Sequence, residues 1–437
     1  MRHLSWLFLC VLPVYAQYEQ GAFTGAIRDP QHLPVPNAQV EITHDATGLA
    51  RSALTNSAGL FFAPGLPLGS YTVAVAAPGF AKVTLRGIRL SVGETRTVDV
   101  TLQLAPRESE PVAVMAHLSE IDVSSAAAAT RMQNEQIGGL PLNGRNWASM
   151  LPLAAGAVDP GTSDQRSVRF AGHGRDDNNF TLDGIDAGGI SNQPQKSQIR
   201  LAIPTSSIAE FKVDATLFPA ETGVGSGAQV VLASRAGGND FHGEAFEFLR
   251  NDKLDARNPF ALQKQPFRLN QFGADFSGPL VRNRTFFFAS FEALRQRLDQ
   301  ALQGFTPSDS YRAALLAQSP ALASLINAFP AGTLRQASDA TTDLFIGLSP
   351  QRADETSGMI RFDHRFSDWT AAFFRINVDE SVIDNPLGNL RDRTVADARP
   401  INAVLALNQT VSPYLLNEAR LGFNQVDYRS LQSTPLP

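Results

Sequence analysis

The feature that most limits the fold is an alternation of apolar and polar side chains in residues 237–437. The stretch TAAFFRINV, for example, places Phe374 and Ile376 on one face of a strand and Arg375 and Asn377 on the other. This period of two is typical of β-strands. Stretches of about ten residues are typical of strands that cross an outer membrane. A half-buried sheet in a soluble protein has the same period, so alternation alone leaves both possibilities open.

The connections between the predicted strands favour the membrane. Seven strands are predicted, at about 237–250, 267–279, 284–296, 354–366, 369–381, 398–411 and 415–429. Short turns at 280–283, 367–368 and 412–414 alternate with long connections near 251–266, 297–353 and 382–397. Outer-membrane barrels have short turns on the periplasmic side and longer loops outside, in this alternation. Residues 237–437 are therefore expected to form the first ~7 strands of a transmembrane antiparallel β-barrel.

Phenylalanine is concentrated where these strands begin, since 11 of the 28 Phe residues lie in residues 241–291. The stretch TFFFASF puts Phe287 and Phe291 on one face of its strand and Phe286 and Phe288 on the other. The sequence does not decide which face meets lipid, because the other set can pack against a domain inside the barrel.

The N-terminus is expected to be a secretory signal peptide over residues 1–16. A basic start at Arg2 precedes an apolar run too short to cross a bilayer as a helix, and small residues follow at the cleavage-type positions. Cys10 is the only cysteine, so the exported chain is expected to lack disulfides, thiolate metal ligands and a Cys nucleophile. The net charge of −5 provides no basic footprint for nucleic acid.

Residues 20–104 read as seven short strands separated by Gly and Pro turns, which indicates an antiparallel sandwich of immunoglobulin-like size. The last of these strands, in residues 94–104, places Val98, Val100, Leu102 and Leu104 on one face.

Four motifs in this stretch carry a family resemblance: GAIRD at 25–29, VPNA at 35–38, TNSAG at 55–59 and PLGSY at 67–71. They resemble the carboxypeptidase regulatory-like family, whose fold is a transthyretin-like β-sandwich. Such domains are often grouped with carbohydrate-binding folds. Because no aromatic platform for a sugar stands out here, we expect a spacer or interaction module, and sugar binding stays open.

Residues 105–136 show no strand rhythm and are expected to be a linker. Beyond it, the motifs LPLNGRN, DDNNFTLDGID and RAGGNDFHGEAFEFLRND follow one another. In this order they resemble the plug and barrel start of TonB-dependent outer-membrane transporters, in the Oar-like branch that carries the same sandwich in front. The expected fold is therefore mainly β: the sandwich, an α+β plug domain at 137–236, and the partial barrel at 237–437.

The resemblance implies a receptor in the bacterial outer membrane, reached by signal-peptide export, that binds an extracellular nutrient and imports it by energised movement of the plug. A siderophore, an oligosaccharide and a peptide are all open as ligand. The implied partners are outer-membrane lipid and a TonB-type periplasmic energiser protein. Plugged transporters use about 22 strands, so this chain is expected to be the N-terminal part of a longer protein.

In this family a TonB box ahead of the plug pairs with the energiser as an added strand. The residues that match best are Val112, Ala113, Val114 and Met115. Strand addition suits this apolar segment, although Pro111 before it cannot donate a hydrogen bond to a ladder.

No catalytic, cofactor or metal site is predicted, and the chain is not expected to be an enzyme. A calcium loop from Asp176, Asp177, Asp183 and Asp186 fails the EF-hand spacing at Phe180, and tight turns are the better interpretation. Three arginines are expected to hold the plug in a polar lumen: Arg145, Arg169 and Arg235. The alternative function is a secreted carbohydrate-binding or adhesion module without transport activity.

Overall fold

The structure is a computed structural model of the 437-residue chain. It describes residues 20–105, 112–115, 128–140, 142, 145–159, 168–174, 177–187, 203–218, 225–257, 264–335, 339–387, 392–412 and 415–433. The predicted signal peptide at 1–16, parts of the LPLNGRN motif and Asp176 lie outside the described residues.

The N-terminal part forms two β-sheets that share one apolar core. Its strands are β1 Gly21–Arg28, β2 Gln39–His44, β3 Ala50–Leu54, β4 Leu60–Leu66, β5 Gly69–Ala76, β6 Val83–Leu90, β7 Thr95–Thr97 and β8 Val100–Thr101. One sheet has the order β4-β1-β7, with β8 also paired to β1. The other has the order β3-β2-β5-β6-β9, in which β9 is Val112–Met115. This unit is called the sandwich below.

The predicted last strand of the sandwich, at 94–104, is wrong in two respects. It is broken into β7 and β8, and both pair in parallel with β1. The break comes at Asp99, whose side-chain Oδ1 accepts the N–H of Ala26 at 2.8 Å, so a carboxylate replaces a backbone partner. Of the four apolar residues predicted to share the buried face, Leu104 is exposed.

A second unit, called the central unit, spans the described residues from 128 to 235. Its elements are β10 Ala129–Gln133, α1 Asn134–Gly139, β11 Ala157–Val158, β12 Arg169–Phe170, β13 Asn179–Leu182, β14 Ile185–Asp186, β15 Ile208–Asp214 and β16 Gln229–Ser234, with 3₁₀ helices at Trp147–Leu153 and Thr205–Ser207. Five strands form one sheet in the order β10-β15-β16-β13-β14. The fully buried Trp147 and Phe211 mark its core, with ring centroids 5.3 Å apart.

The predicted linker at 105–136 contains two strands, which corrects the expectation that it has none. β9 pairs in parallel with β6, and β10 pairs antiparallel with β15 over five residues. All five residues of β10 are half-buried. A strand without a buried and an exposed face has no period of two in its sequence, so periodicity could not reveal it.

The third unit, called the large sheet, is antiparallel throughout. Its strands are β17 His242–Asn251, β18 Phe267–Val281, β19 Thr285–Pro307, β20 Leu334–Arg335, β21 Thr342–Ser367, β22 Thr370–Pro386, β23 Arg393–Ser412 and β24 Leu415–Ser433. The order is β17-β18-β19-β21-β22-β23-β24, with the short β20 beside β21. Each of the seven stretches predicted from the sequence overlaps one of these strands. Over the described residues the sheet is open, with β17 and β24 at its edges.

The connection predicted at 297–353 is wrong over much of its length. β19 and β21 stay paired as far as Pro307 and Thr342, and the true connection holds a 3₁₀ helix, α2 at Asp309–Gln318 and α3 at Ala323–Asn327. The added residues mix apolar and polar side chains on both faces, as in the run LFIGL at 344–348, so they lack the alternation on which the prediction depended. An established ladder extends by backbone hydrogen bonds, which polar side chains permit. The region predicted as a connection at 382–397 is likewise strand on both sides, up to Pro386 and from Arg393.

One face of the large sheet is a continuous apolar surface that points away from the central unit. Phe287, Phe362, Phe374, Leu405 and Leu421 lie opposite one another on successive strands from β19 to β24. Four of these side chains are classed as exposed, Leu421 at 73%. A face of this kind is what lipid covers in outer-membrane strands.

The opposite face of the large sheet contains two of the phenylalanines of TFFFASF. Phe286 and Phe288 are buried, and Phe288 belongs to the same core cluster as Phe211 of the central unit. Phe291, on the other face, is 46% exposed. Phe286 and Phe288 therefore pack inward. Within the described part of the chain, no helix has the length and apolar character needed to cross a membrane.

Candidate functional site

The site that distinguishes this structure lies where the central unit meets the inner face of the large sheet. It begins at Asp183, in the turn between β13 and β14. Asp183 and Gly184 both have positive φ (49° and 74°), the conformation that an Asp-Gly pair adopts in a tight hairpin. The turn therefore presents the Asp183 carboxylate at the tip of the central sheet.

Two arginines of the large sheet face this carboxylate. Arg361 on β21 and Arg375 on β22 are direct cross-strand neighbours. Like charges placed opposite each other on neighbouring strands destabilise a sheet. The Asp183 carboxylate lies 2.8 Å from Nε of Arg375 and 3.7 Å from Nη1 of Arg361. Asp363 of β21 lies 2.8 Å from Nη2 of Arg361, so two carboxylates offset the two positive charges.

Further hydrogen bonds within and between the two units hold the side chains of Asp183 and Arg375 in place. The Asp183 carboxylate accepts from the backbone N–H and the hydroxyl of Ser234 at 2.9 and 2.7 Å. Arg375 is completely buried and donates to the backbone oxygen and Oδ1 of Asn402 and to the backbone oxygen of Leu182. Each charge is therefore both paired and hydrogen-bonded, which a buried ion pair requires. The name "buried lock" is used below for Asp183, Arg361 and Arg375.

The protonation state of Asp183 follows from two opposing effects. Burial raises the pKa of Asp183, but the positive charges of Arg375 and Arg361 and the hydrogen bonds from Ser234 outweigh it, so the pKa lies below its ordinary value. A depressed carboxyl pKa contributes stability above the unfolded value of about 3.9, and that stability is lost as the pH falls through the folded pKa. The Asp183 carboxyl is therefore ionised at neutral pH, and its ion pairs with the two arginines are formed.

Two arginines of the central unit form a second set of contacts. The Arg145 guanidinium lies 3.9 Å from the centroid of the Phe246 ring and 3.8 Å from Oε1 of Glu292, a fully buried carboxylate on β19. Arg235 lies 3.4 Å from Oδ1 of Asp275 on β18. Two of the three arginines predicted to hold the plug thus contact the large sheet. The third, Arg169, is exposed on β12.

An apolar contact joins the same two units. Phe288 of β19 and Met359 of β21 belong to the core cluster of the central unit. Ser207 of the central unit and Ser290 of β19 are hydrogen-bonded through hydroxyl oxygens 2.6 Å apart, and both are buried. The interface therefore combines an apolar core with buried, paired charges.

The sandwich also contacts the central unit. Glu210, buried on β15, accepts the N–H of Val92 through Oε1 at 3.1 Å, and Arg89 lies 3.3 Å from Glu135 of α1. Burial raises the pKa of Glu210, and the Val92 N–H, Arg89 and Arg131 offset this only in part. A cleft of about 700 Å³, lined partly by His44 of the sandwich and by Arg361 of the lock, remains between the three units.

We expect Glu210→Gln to raise the unfolding midpoint at pH 7. A raised carboxyl pKa gives a contribution to stability that is present below the unfolded pKa, about 4.3, and is lost as the pH rises through the folded pKa. The amide keeps an oxygen that can accept the Val92 N–H and carries no charge. The measurement is urea unfolding at pH 5 and pH 7, with the exposed Glu41→Gln of β2 as control. A lower midpoint for Glu210→Gln at pH 7 would contradict this account.

The structure places the other sequence-predicted residues as follows. Val112, Ala113, Val114 and Met115 form β9, the outer strand of a sandwich sheet. Asp183 makes a turn, as expected, and the structure uses its carboxylate as an ion-pair partner. Among the described residues, no group of three His, Cys, Asp or Glu side chains could hold a metal ion.

The buried lock itself was not predicted. Its signal in the sequence was Arg375, a charged residue on a face shared with Phe373 in a strongly apolar strand. Periodicity assigns Arg375 to the inner face, but it cannot say which residue supplies the counter-charge 192 positions earlier in the chain.

Comparison with known proteins gives matches to two parts of the chain. The family model described as an outer membrane beta barrel domain matches residues 233–436, and the model of the carboxypeptidase regulatory-like domain matches residues 22–103. The TonB-dependent transporter Oar of Myxococcus xanthus is 25% identical over 292 residues, which cover 62% of this chain and 26% of that protein. Over these residues the chain resembles a TonB-dependent transporter. The resemblance predicted from the motifs is therefore confirmed.

Among solved structures, the outer membrane transporter YddB of Escherichia coli matches with a TM-score of 0.45 and 12% identity, over 70% of this chain and 40% of that chain. The siderophore receptor PirA of Acinetobacter baumannii matches with a TM-score of 0.40 and 11% identity, over 69% and 45% of the two chains. At these TM-scores the likeness carries no functional argument. The chain spans about a quarter of the length of Oar.

Proposed function

We propose that this chain works in the outer membrane as part of a TonB-dependent receptor. The large sheet, in the region expected at 237–437, is the barrel wall. The central unit, in the region expected at 137–236 and extended to residue 128 by β10, is the plug. The observation that carries the proposal is the buried lock. Asp183 of the central unit pairs with the fully buried Arg375 at 2.8 Å and lies 3.7 Å from Arg361, which Asp363 of the sheet also holds. A buried ion pair of this kind fixes the central unit on the inner face of the sheet through a polar contact.

The mechanism proposed is conformational gating. The sheet's outer face is apolar and its inner face is polar, so a unit held by charge pairs on the inner side can separate from it without exposing a wide apolar surface. Apart from the small apolar core at Phe288 and Met359, the contacts of the lock, of Arg145 with Glu292 and of Arg235 with Asp275 are polar. Force applied to the segment ahead of the central unit would open these contacts and clear a path for the imported nutrient.

The partners of the receptor follow from this proposal. A TonB-type periplasmic energiser would pair as a strand with Val112–Met115. The extracellular ligand would be a scarce nutrient, and a siderophore, an oligosaccharide and a peptide all suit the mechanism. Signal-peptide export through residues 1–16 would bring the chain to the outer membrane.

The test is binding of the purified periplasmic domain of a TonB-type protein to the detergent-solubilised chain. Val114→Pro removes a backbone N–H from the segment and should abolish binding, because a strand partner needs that donor. The matched control is Ser119→Pro, four residues beyond Met115. We expect the control to bind like the unmodified chain. Equal binding by both variants would refute the assignment of this segment, and recovery of the chain from cells without detergent would refute the receptor.

A further inference from the structure

The segment Val112–Met115 is not free in this structure, since it is paired with the sandwich. It lies parallel to β6, in a register that runs from Val83 opposite Val112 to Arg86 opposite Met115. In the sheet order β3-β2-β5-β6-β9, β6 would be the edge strand if β9 left. An edge strand presents a row of unpaired N–H and C=O groups, which is a template for strand addition.

The length of this pairing has a physical cause at each end. Gly87, directly after Arg86, has φ +73°, and the β5–β6 ladder shifts register between Tyr71 and Val73. The edge of β6 therefore leaves regular strand geometry after Arg86. At the other end Pro111 has no N–H to offer. The four residues described on this edge are the ones predicted to bind the energiser.

The pairing is also suited to release. Parallel ladders are slightly less stable per residue than antiparallel ones, and four residues on one side of an edge form few hydrogen bonds. A strand of a partner protein that forms more hydrogen bonds with Val112–Met115 can therefore displace this segment from β6.

We propose that the β6 edge is the resting dock of Val112–Met115, so that a partner must displace the segment from the sandwich before pairing with it. The inference rests on the proposed function only for the identity of that partner. β6 also leads into the contacts with the central unit, through Arg89 with Glu135 and Val92 with Glu210. The sandwich would then take part in the gating movement, and it would do more than separate two domains.

Docking is tested by a pair of cysteines in the full chain, in a Cys10→Ser background. Thr84→Cys with Ala113→Cys joins two residues that are opposite in the register, and it should form a disulfide on mild oxidation. The matched control, Arg86→Cys with Ala113→Cys, is displaced by two positions and should form the disulfide on the order of tenfold less. Amide exchange offers a second readout without substitutions, and the amides of 112–115 should exchange on the order of tenfold more slowly than those of 116–120. Equal cross-linking of the two pairs, with no protection of 112–115, would overturn the proposal.

Displacement is tested with the same cysteine pair and the periplasmic domain of a TonB-type protein as probe. The oxidised chain should bind the probe on the order of tenfold more weakly than the reduced chain, because the strand cannot leave β6. Equal binding of the two forms would overturn the requirement for displacement. If neither form binds while the in-register pair still cross-links, the energiser assignment fails and the dock on β6 stands.

Discussion

Asp183→Asn is expected to destabilise the central unit by about 3–5 kcal/mol, because it leaves a buried charge without its partner. The asparagine retains one side-chain oxygen, which can still accept the Ser234 N–H. An NH2 donor replaces the oxygen that accepts from the Ser234 hydroxyl and from Nε of Arg375. Arg375 is fully buried and would keep its hydrogen bonds to Asn402. It would then lie opposite Arg361 without the Asp183 carboxylate, while Asp363 still pairs with Arg361 at 2.8 Å.

The measurement is urea unfolding of the detergent-solubilised chain, followed by the fluorescence of Trp147, which is buried in the core of the central unit. The matched control is Asp240→Asn, the same change at an exposed position, with an expected effect within about 0.5 kcal/mol. Adding Arg375→Met to Asp183→Asn should recover part of the loss, because it removes the buried positive charge that the Asp183 carboxylate had balanced. Equal midpoints for Asp183→Asn and Asp240→Asn would show that the lock does not hold the central unit.

Phe288→Ala is expected to cost about 3–5 kcal/mol, the range for removing a large aromatic side chain from a packed core. Phe288 is fully buried, packs in the core cluster of the central unit and lies 5.3 Å from the Arg235 guanidinium. Its removal would leave a cavity between β19 and the central unit, which backbone pairing on both sides of β19 prevents from collapsing.

The control for Phe288→Ala is Phe291→Ala on the outer face of the same strand. Phe291 is partly exposed and faces the Phe272 ring at 6.4 Å. Detergent or lipid fills the space that this side chain leaves, so a loss of about 1 kcal/mol, the value of an aromatic pair, is expected. Trp147 fluorescence should report the first substitution and respond little to the second. The reverse order would mean that the inner and outer faces of the large sheet are assigned wrongly.

Some of the strands could be predicted from the sequence and others could not. Alternation in residues 369–381 and 398–411 placed β22 and β23, because one face of each strand is apolar and the other polar. The same rule missed the continuations of β19 and β21, which mix apolar and polar side chains on both faces, and it missed β10, whose residues are all half-buried. Periodicity reports a difference between two faces, so a strand with two similar faces gives no signal.

The candidate site was less accessible to sequence reasoning than the fold. Arg145 and Arg235 could be expected to contact the barrel wall, because charges in a plug motif need partners. The pairing of Asp183 with Arg361 and Arg375 could not be predicted, since nothing local to an Asp-Gly turn identifies a partner in a distant strand. The pairing of Val112–Met115 with β6 could not be predicted either, because the choice of a strand partner depends on which sheet edge is free.

The measurement that tests the account most directly is a cross-link between the central unit and the large sheet in intact outer membranes. Ser207→Cys with Ser290→Cys replaces two buried hydroxyl groups that are already in contact at 2.6 Å. In a Cys10→Ser background, the account predicts that the protein fractionates with the outer membrane and that both thiols are lost on oxidation. Free, reactive thiols in the outer-membrane fraction, or recovery of the protein in the soluble periplasmic fraction, would contradict a central unit packed on the inner face of a membrane-spanning sheet.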